Sequence, residues 1–454
     1  MKQSLFFSIL CSAAISLTAP AAHAADLGGD CCADLEERVA TLEATTARKG
    51  NRKVSLSISG WVNQALYIWD DGVDSDVYQI TDNGNTLSTR ITFAGSARIN
   101  TDWSAGYTIT IEPIQAEGLF GVSQQNDDGS FVNGLGLLES YMYVKNERLG
   151  TLSWGLQQQA SDNVGVVDLS GGLWSGVAPI FRGNRFKLRS ANGGSFNADG
   201  SLAAGLNGAN VPGSNPLKTG ITSADFAACN AINAGIGMDC FGLLTNSVKY
   251  VSPTVSGFTL STSWGENDFF EVAGAVGYIN ATSNSNGGNG IAAAGTDVEV
   301  FNVAGGFMHV PTGIFANFDY NTEKVDSIGG ISANALVNAF DPNARFEDNP
   351  ESFYLKVGIK QKWNSLGATS IFGDYGIYKD RYEPLLFNNG VTGSEITRWG
   401  VGVNQWVDAA AMQLYVKYTH LEFEVDAVAG STAAPLSDGI RDWDEVVVGG
   451  IIFF

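Results

Sequence analysis

The chain has 454 residues, of which 44% are hydrophobic and only 16% charged, with 55 Gly, 25 Phe, 11 Pro and a formal net charge of −21. That acidity excludes nucleic acid as a partner, because phosphate backbones demand a basic surface. Beyond the first residues nothing approaches the ~18 consecutive apolar residues of a membrane-spanning helix; many glycines and aromatics without such a span fit a transmembrane β-barrel, with a large secreted β-sandwich or β-helix as the competing architecture.

Residues 1–24 carry one lysine, Lys2, an apolar run from Leu5 to Leu17, and the small-residue ending Ala22-His23-Ala24. This pattern predicts a secretory signal peptide cleaved before Ala25, so the protein is expected to be exported. The run is too short to span a bilayer as a helix. Leu10 precedes Cys11 where a lipid-attachment site wants a small residue, which argues against lipidation.

Within 25–52, residues 33–49 ("ADLEERVATLEATTARK") form the one clear helical pattern. Leu35, Val39 and Leu42 follow a 4-3 spacing among charged neighbours, as in a coiled coil. A run of about two heptads is marginal alone. It is expected either to bundle with copies held together by a trimer or to act as a solvated periplasmic tether. Cys31 and Cys32 are adjacent and do not pair easily with each other; cross-links between protomers and idle thiols both remain open.

From Lys53 the period changes to two. Val54, Leu56 and Ile58 oppose Ser55, Ser57 and Ser59; Ile91, Phe93, Ala97 and Ile99 oppose Arg90, Thr92, Ser96, Arg98 and Asn100. The same alternation runs through "ESYMYVKNE", "TLSWGLQ", "RFKLRS", "TNSVKYV", "FTLSTSW", "VEVFNVAGGFMHV", "IFANFDY", "SFYLKVGIK", "ATSIFGDYG", "RWGVGVNQWV", "MQLYVKY" and the end of the chain. Connections alternate short ("TDWSAG", "RLG", "SPTVSG", "VPTG", "WNSLG", "VDAA") and long (70–85, 116–136, 159–182, 266–296, 323–350, 379–394, 425–441). Short turns on one side and long loops on the other are the organisation of an outer-membrane barrel. In lipid such a sheet must close on itself, since an open edge leaves backbone groups unpaired. The domains are therefore 1–24, 25–52 and a barrel over 53–454. An even strand count is required, and sixteen is reached by placing a weak strand within 195–206 and assigning 269–279 to a long loop or extra hairpin; fourteen and eighteen stay open. Cys229 and Cys240 close a Gly- and Asn-rich loop and are expected to form a disulfide in an oxidising compartment. The histidines offer no ligand spacing for a metal.

These residues resemble the Gram-negative general porin family, in the form typical of alphaproteobacteria. "NSVKYVSPTVSGF" (Asn246–Phe258) resembles a porin strand-turn-strand, and "LGTLSWGLQ" (Leu149–Gln157) the strand entering the constriction loop, with Leu156 where the family pattern has arginine. "HVPTGIF", "WNSLGATSIFGDYG" and "WGVGVNQWVDAAAMQLYVKY" resemble later turn regions, and "RVATLE" (Arg38, Val39, Leu42, Glu43) a short trimerisation motif; 191–244 matches poorly and looks like an insertion. The resemblance implies a homotrimer of water-filled barrels passing small hydrophilic solutes passively, without cofactor, and a third loop folded inward. It makes 159–182 that loop, with Asp162 and Asp168 as acids at the constriction. The terminal "GGIIFF" resembles the family's carboxy-terminal signature, so Phe454 is implied to be read by the barrel-assembly machinery.

Parity completes the pore. Charges on the lumen face are affordable because the lumen is wet, whereas on the lipid face they cost ~2–4 kcal/mol near the midplane. Arg90, Arg98, Arg185, Lys187, Arg189 and Lys249 are expected on the lumen side, with Phe186 and Leu188 towards lipid; Arg182 lies just before that strand. A basic wall facing an acidic loop sets a transverse field that orients polar solutes. The expected function is thus an outer-membrane porin rather than an enzyme, since no Ser-His-acid set suggests itself. The alternatives are a substrate-selective channel, which would show an inward aromatic ladder, and a barrel tethering outer-membrane lipid to peptidoglycan. In the last strand Val446, Val448, Gly450, Ile452 and Phe454 suit lipid. The opposite face is apolar for a lumen wall and is expected to pack against a loop. That strand must pair with the one beginning near Lys53.

Overall fold

Alternation from Lys53 onward becomes strand after strand. The computed structural model describes residues 53–81, 89–114, 122–124, 134–160, 162, 168–172, 186–196, 202–203, 221–227, 244–255, 259–265, 270–273, 276–282, 297–328, 331–332, 349–381 and 390–454, all within one unit, Arg48–Phe454. The expected leader, the helical segment with Leu35, Arg38, Val39, Leu42 and Glu43, and Cys229 and Cys240 lie outside these residues, as do Arg182 and Arg185.

The strands in chain order are β1 (Ser57–Asp70), β2 (Ser75–Ile80), β3 (Arg90–Arg98), β4 (Trp103–Ile114), β5 (Gly134–Asn146) and β6 (Gly150–Gln157). Two short pieces follow, β7 (Ser195–Phe196) and β8 (Leu202–Ala203), and a single helical turn, α1 (Ser223–Ala227). Then come β9 (Thr245–Val251), β10 (Ser261–Gly265), β11 (Phe270–Ala273), β12 (Val276–Thr282), β13 (Asp297–His309), β14 (Ile314–Ile328) and β15 (Ile331–Ser332). The last are β16 (Glu351–Gln361), β17 (Thr369–Lys379), β18 (Val391–Val407), β19 (Met412–Ala427) and β20 (Trp443–Phe453).

The strands pair antiparallel, mostly with their chain neighbours but with β1–β3, β6–β9 and β14–β16 pairs across the short pieces between them, and the order closes: β20 lies against β1 from Trp61↔Phe453 to Asp70↔Asp444. The seam continues past the strand end, where Gly60 and Phe454 exchange backbone hydrogen bonds of 3.0 Å in both directions. The last strand therefore does pair with the first, and no edge is left for lipid to expose.

The short connections are built by local polar chemistry. Asn100, Asn146 and Asn364 each turn a side-chain carbonyl back onto backbone N–H groups just ahead, at 2.9–3.0 Å, in the turns after β3, β5 and β16. This is the short-range bonding that makes asparagine a turn former. In the β13–β14 turn Gly313 has φ +71°, and a Cβ there would come 1.9 Å from the Lys360 carbonyl, so only glycine fits.

Polarity is inverted relative to a water-soluble protein. One face of every long strand is apolar and exposed: Val62 46%, Leu66 50%, Val357 47%, Val401 54%, Ile452 49%. The other is polar and buried: Asn63, Asn302, Asn321, Asn404 and Gln413 are at 0%. An apolar exterior of this extent belongs in hydrocarbon. The last strand follows its expected parity, with Trp443, Glu445, Val447 and Ile451 buried inward and Ile452 and Phe454 outward.

Three sequence expectations are corrected. "RFKLRS" is not a wall strand: Phe186 and Leu188 face no lipid but are buried at 0% and 2%, with Phe186 against the rings of Tyr67, Trp69 and Trp443. An apolar-polar alternation looks the same whether the apolar side meets lipid or an aromatic cluster inside. Residues 195–206 add no wall strand either; β7 and β8 pair only with each other. Of the two alternatives for 269–279, the structure shows the extra hairpin: β11 and β12 pair with each other and join the main sheet. The expected loop 70–85 contains β2, which folds back on β1 through a turn at Asp71–Asp74.

Candidate functional site

The inward residues of β16–β19 bring a basic cluster together. Register places Lys356 opposite Asp374, and Arg398 opposite Gly376 one step further along β17. Lys417 Nζ lies 2.6 Å from Asp374 Oδ2, and Arg398 Nε 3.9 Å from Asp374 Oδ1. Gly400, between these side chains, leaves the space: a Cβ there would come 3.0 Å from Asp374 Oδ1 and 3.2 Å from Lys417 Cε. Lys356 Nζ also sits 3.9 Å from the centre of the Phe372 ring, and the Arg398 guanidinium 5.5 Å from that of Tyr354. Three cations thus share one wall carboxylate.

The second carboxylate comes from the long connection after β6. Asp168 Oδ1 accepts from Lys356 Nζ at 3.1 Å and from Asn317 Nδ2 at 3.2 Å, and both partners of the ion pair are 1% exposed. Ser170 Oγ bonds Lys356 Nζ at 3.0 Å and Asp168 Oδ2 at 2.8 Å. The Gly171 carbonyl then accepts from Trp406 Nε1 (3.1 Å) and Gln413 Nε2 (2.8 Å). At Gly172 a Cβ would fall 1.6 Å from Asn404 Nδ2, so the backbone lies directly on the wall. Residues 168–172 therefore touch inward side chains of β14, β16, β18 and β19.

The residues picked out from sequence separate into three groups. Arg90 is inward: its Nη2 is 2.5 Å from Glu112 Oε1 and its guanidinium stacks 4.5 Å from Trp61, with Glu139 and Asp162 adding negative potential. Lys249 is also inward, its Nζ donating to the Gln158 carbonyl at 2.7 Å. Arg98, by contrast, reaches the end of β3 and donates to the Asn100 and Thr101 carbonyls of its own turn at 2.9 and 3.2 Å. Arg189 and Lys187 leave the wall. Arg189 Nε pairs with Asp71 Oδ2 at 2.7 Å, 3% and 1% exposed, and Lys187 hydrogen-bonds Gln124 and bridges to Thr222 through its backbone. Partial burial holds the Lys187 ammonium below its ordinary pKa. Asp168 meets Lys356 rather than any of the arginines expected to face it.

Lys356, Arg398 and Lys417 escaped the sequence reading, although each has the parity signal that marked Lys249: a cation between Leu355 and Val357, between Thr397 and Trp399, between Val416 and Tyr418. Inward aromatics were missed as well; Tyr67, Trp69, Tyr415 and Trp443 are buried on the inner face, with Trp69 and Trp443 stacked at 5.9 Å.

Residues 11–426 match the family model for Gram-negative porins. The chain belongs to that family. Its fold is similar to an anion-selective porin from Comamonas acidovorans, at 12% identity over 88% of this chain and 100% of that one, with a TM-score of 0.51. Salmonella typhi OmpF in complex with daunomycin (13% identity, 89% and 99% covered, TM-score 0.49) and OmpT of Vibrio cholerae (13%, 90% and 99%, 0.46) are also similar. No curated protein matches. The porin is a Gram-negative outer-membrane channel for diffusion of small solutes, not an enzyme, and porins of this family are typically trimers.

Proposed function

We propose that the porin is a sixteen-stranded homotrimer of the alphaproteobacterial type, passing ions and small hydrophilic solutes through a constriction formed by loop 159–182. The observation that carries this reading is the Asp168–Lys356 pair, which joins the loop to the inner wall at 3.1 Å. Lys356, Arg398 and Lys417, each 1% exposed, back that loop from the covered wall, with Arg90 and Lys249 as further inward cations and Asp162 as the second loop acid. Cations fixed opposite a loop carboxylate set a field across the narrow point, which favours dipolar solutes and penalises apolar ones. Arg98, Lys187 and Arg189 act outside that wall; Arg182 and Arg185 stay assigned to the pore's basic wall on the sequence alone.

Support for sixteen positions comes from the pairing: β2 and β3 occupy successive lengths of the same side of β1, and β15 only prolongs the β14 hairpin. The remaining parts of the reading rest on sequence. These are a trimerising helix through Leu35, Arg38, Val39, Leu42 and Glu43, a Cys229–Cys240 disulfide, and Phe454 as the assembly signal.

Planar-bilayer recordings of purified protein test the channel directly. The expected result is a stable ohmic conductance in multiples of three closing steps. Absence of conductance overturns the diffusion reading, and single closing steps overturn the trimer.

A further inference from the structure

The inner face is not uniformly covered. On β13, β14 and β16–β20 the inward residues are buried almost without exception: Val300, Asn321 and Asn404 at 0%, Lys356 and Val447 at 1%, Ser352 and Ser370 at 2%, Thr419 at 3%. On β3–β5 Thr110 and Glu112 are buried at 1% and 6%, but the inward residues Thr92, Tyr141 and Tyr143 are half-buried, and Ser96, Arg98 and Lys145 are exposed.

Two bodies of chain account for the covered arc. Towards the periplasmic turns, residues 168–172 lie on β14, β16, β18 and β19, as described above. Towards the long loops the cover is the stretch around Phe186–Phe196 with α1. Phe186, Leu188, Phe196, Ile221 and Phe226 are 0–2% exposed in one cluster with Tyr67, Trp69, Tyr378, Phe423 and Trp443. Polar bonds fix this cover to separate walls. Arg189 pairs with Asp71 beyond β1, Arg381 beyond β17 donates to the Ala227 carbonyl at 3.4 Å, and Arg441 N donates to the Arg189 carbonyl at 2.8 Å. Leu188 N to the Ile221 carbonyl at 2.8 Å ties its two strands together. Buried apolar contacts plus a desolvated ion pair make a fixed filling and not a hinged lid, because opening would expose the aromatics and strand a buried charge.

We propose that this filling is an internal plug that removes the β16–β20 and β1 side of the lumen from conduction, so that solute travels off-centre along β3–β5. The path is lined by Thr92, Ser96, Tyr141 and Tyr143. It leaves past Arg98 and Lys145, which line a cavity of about 380 Å³ at the turn after β3. Hydroxyls along the wall select for hydroxylated solutes over apolar ones, and at the exit Asp102 and Glu147 line the same cavity as Arg98 and Lys145, so its charges balance.

The inference rests on the porin conducting at all, and the test separates the two. Near-isosteric cysteines replace Thr92 (T92C) on the open arc and Ser370 (S370C) and Thr419 (T419C) on the covered arc at two heights. A water-soluble cationic methanethiosulfonate is added during bilayer recording, with the unsubstituted protein as the baseline for its own cysteines. T92C is expected to label and to lose conductance in steps, while S370C and T419C keep the baseline conductance over the same interval. Labelling of S370C and T419C as fast as T92C, or no response of T92C, overturns the off-centre path even though the channel conducts. If either covered-arc variant gives no channels, S352C takes its place with the same expectation. A silent unsubstituted protein overturns the porin reading instead.

Discussion

Lys356 carries two loads at once: it neutralises Asp168 at 3.1 Å and holds Ser170 at 3.0 Å, both in a site with 1% exposure. Removing one partner of a buried pair leaves the other charge uncompensated, at a cost of about 3–5 kcal/mol. Lys356→Met should therefore loosen residues 168–172 as well as delete a cation. The expected record is a larger, noisier conductance as the freed loop uncovers the β16–β19 arc; an unchanged conductance would show that the pair does not hold the loop on the wall. Lys417→Met should raise conductance and noise less, because its partner Asp374 belongs to the wall and keeps Arg398 within 3.9 Å. Arg98→Gln should leave the constriction unaffected, since that guanidinium is bound to turn carbonyls. Its effect is confined to the exit cavity that Arg98 shares with Lys145, Asp102 and Glu147.

At the level of elements, the loop after β6 is held by close backbone approach more than by side chains. Gly172→Ala puts a methyl group where Asn404 Nδ2 now lies, 1.6 Å away. The loop must lift, and conductance should rise; adding Asn404→Ala makes room and should restore the parent value. Failure of the double variant to recover would place the cause in the backbone of the loop itself. How much of this was legible follows from what periodicity encodes. Alternation gives the face of each residue: Arg90 and Lys249 turn inward, onto Glu112 and the Gln158 carbonyl, and the same test applies to Lys356, Arg398 and Lys417. It does not say what a face meets. "RFKLRS" alternates because Phe186 and Leu188 enter an aromatic cluster, and nothing local distinguishes that from lipid. The pairing of Asp168 with Lys356 spans 188 residues, and no spacing rule reaches across it. Two of the expected wall strands, "RFKLRS" and 195–206, do not join the main sheet.

For the whole molecule, the decisive property is the inverted polarity, and it sets an unequal tolerance to charge. Val401 on β18 points outward at 54% exposure, flanked on the same face by Trp399 and Val403 at 40% and 42%. The residues paired with it, Gly373 and Tyr418, belong to that same outer face, so an arginine there finds no carboxylate in register. In hydrocarbon such a charge costs about 2–4 kcal/mol at the midplane. At Thr92, on the half-buried inner arc, an arginine joins Arg90 in a wet lumen and costs far less. Reversible urea unfolding from lipid vesicles should therefore show Val401→Arg destabilised by about that amount, and Thr92→Arg close to the parent. In a water-soluble barrel the order reverses: an exposed Val→Arg is nearly neutral and the inward arginine is the damaging one. Equal stability of the two variants would mean that the outer face of β18 does not meet lipid, and the closed ring of strands would then need another reason for its apolar exterior.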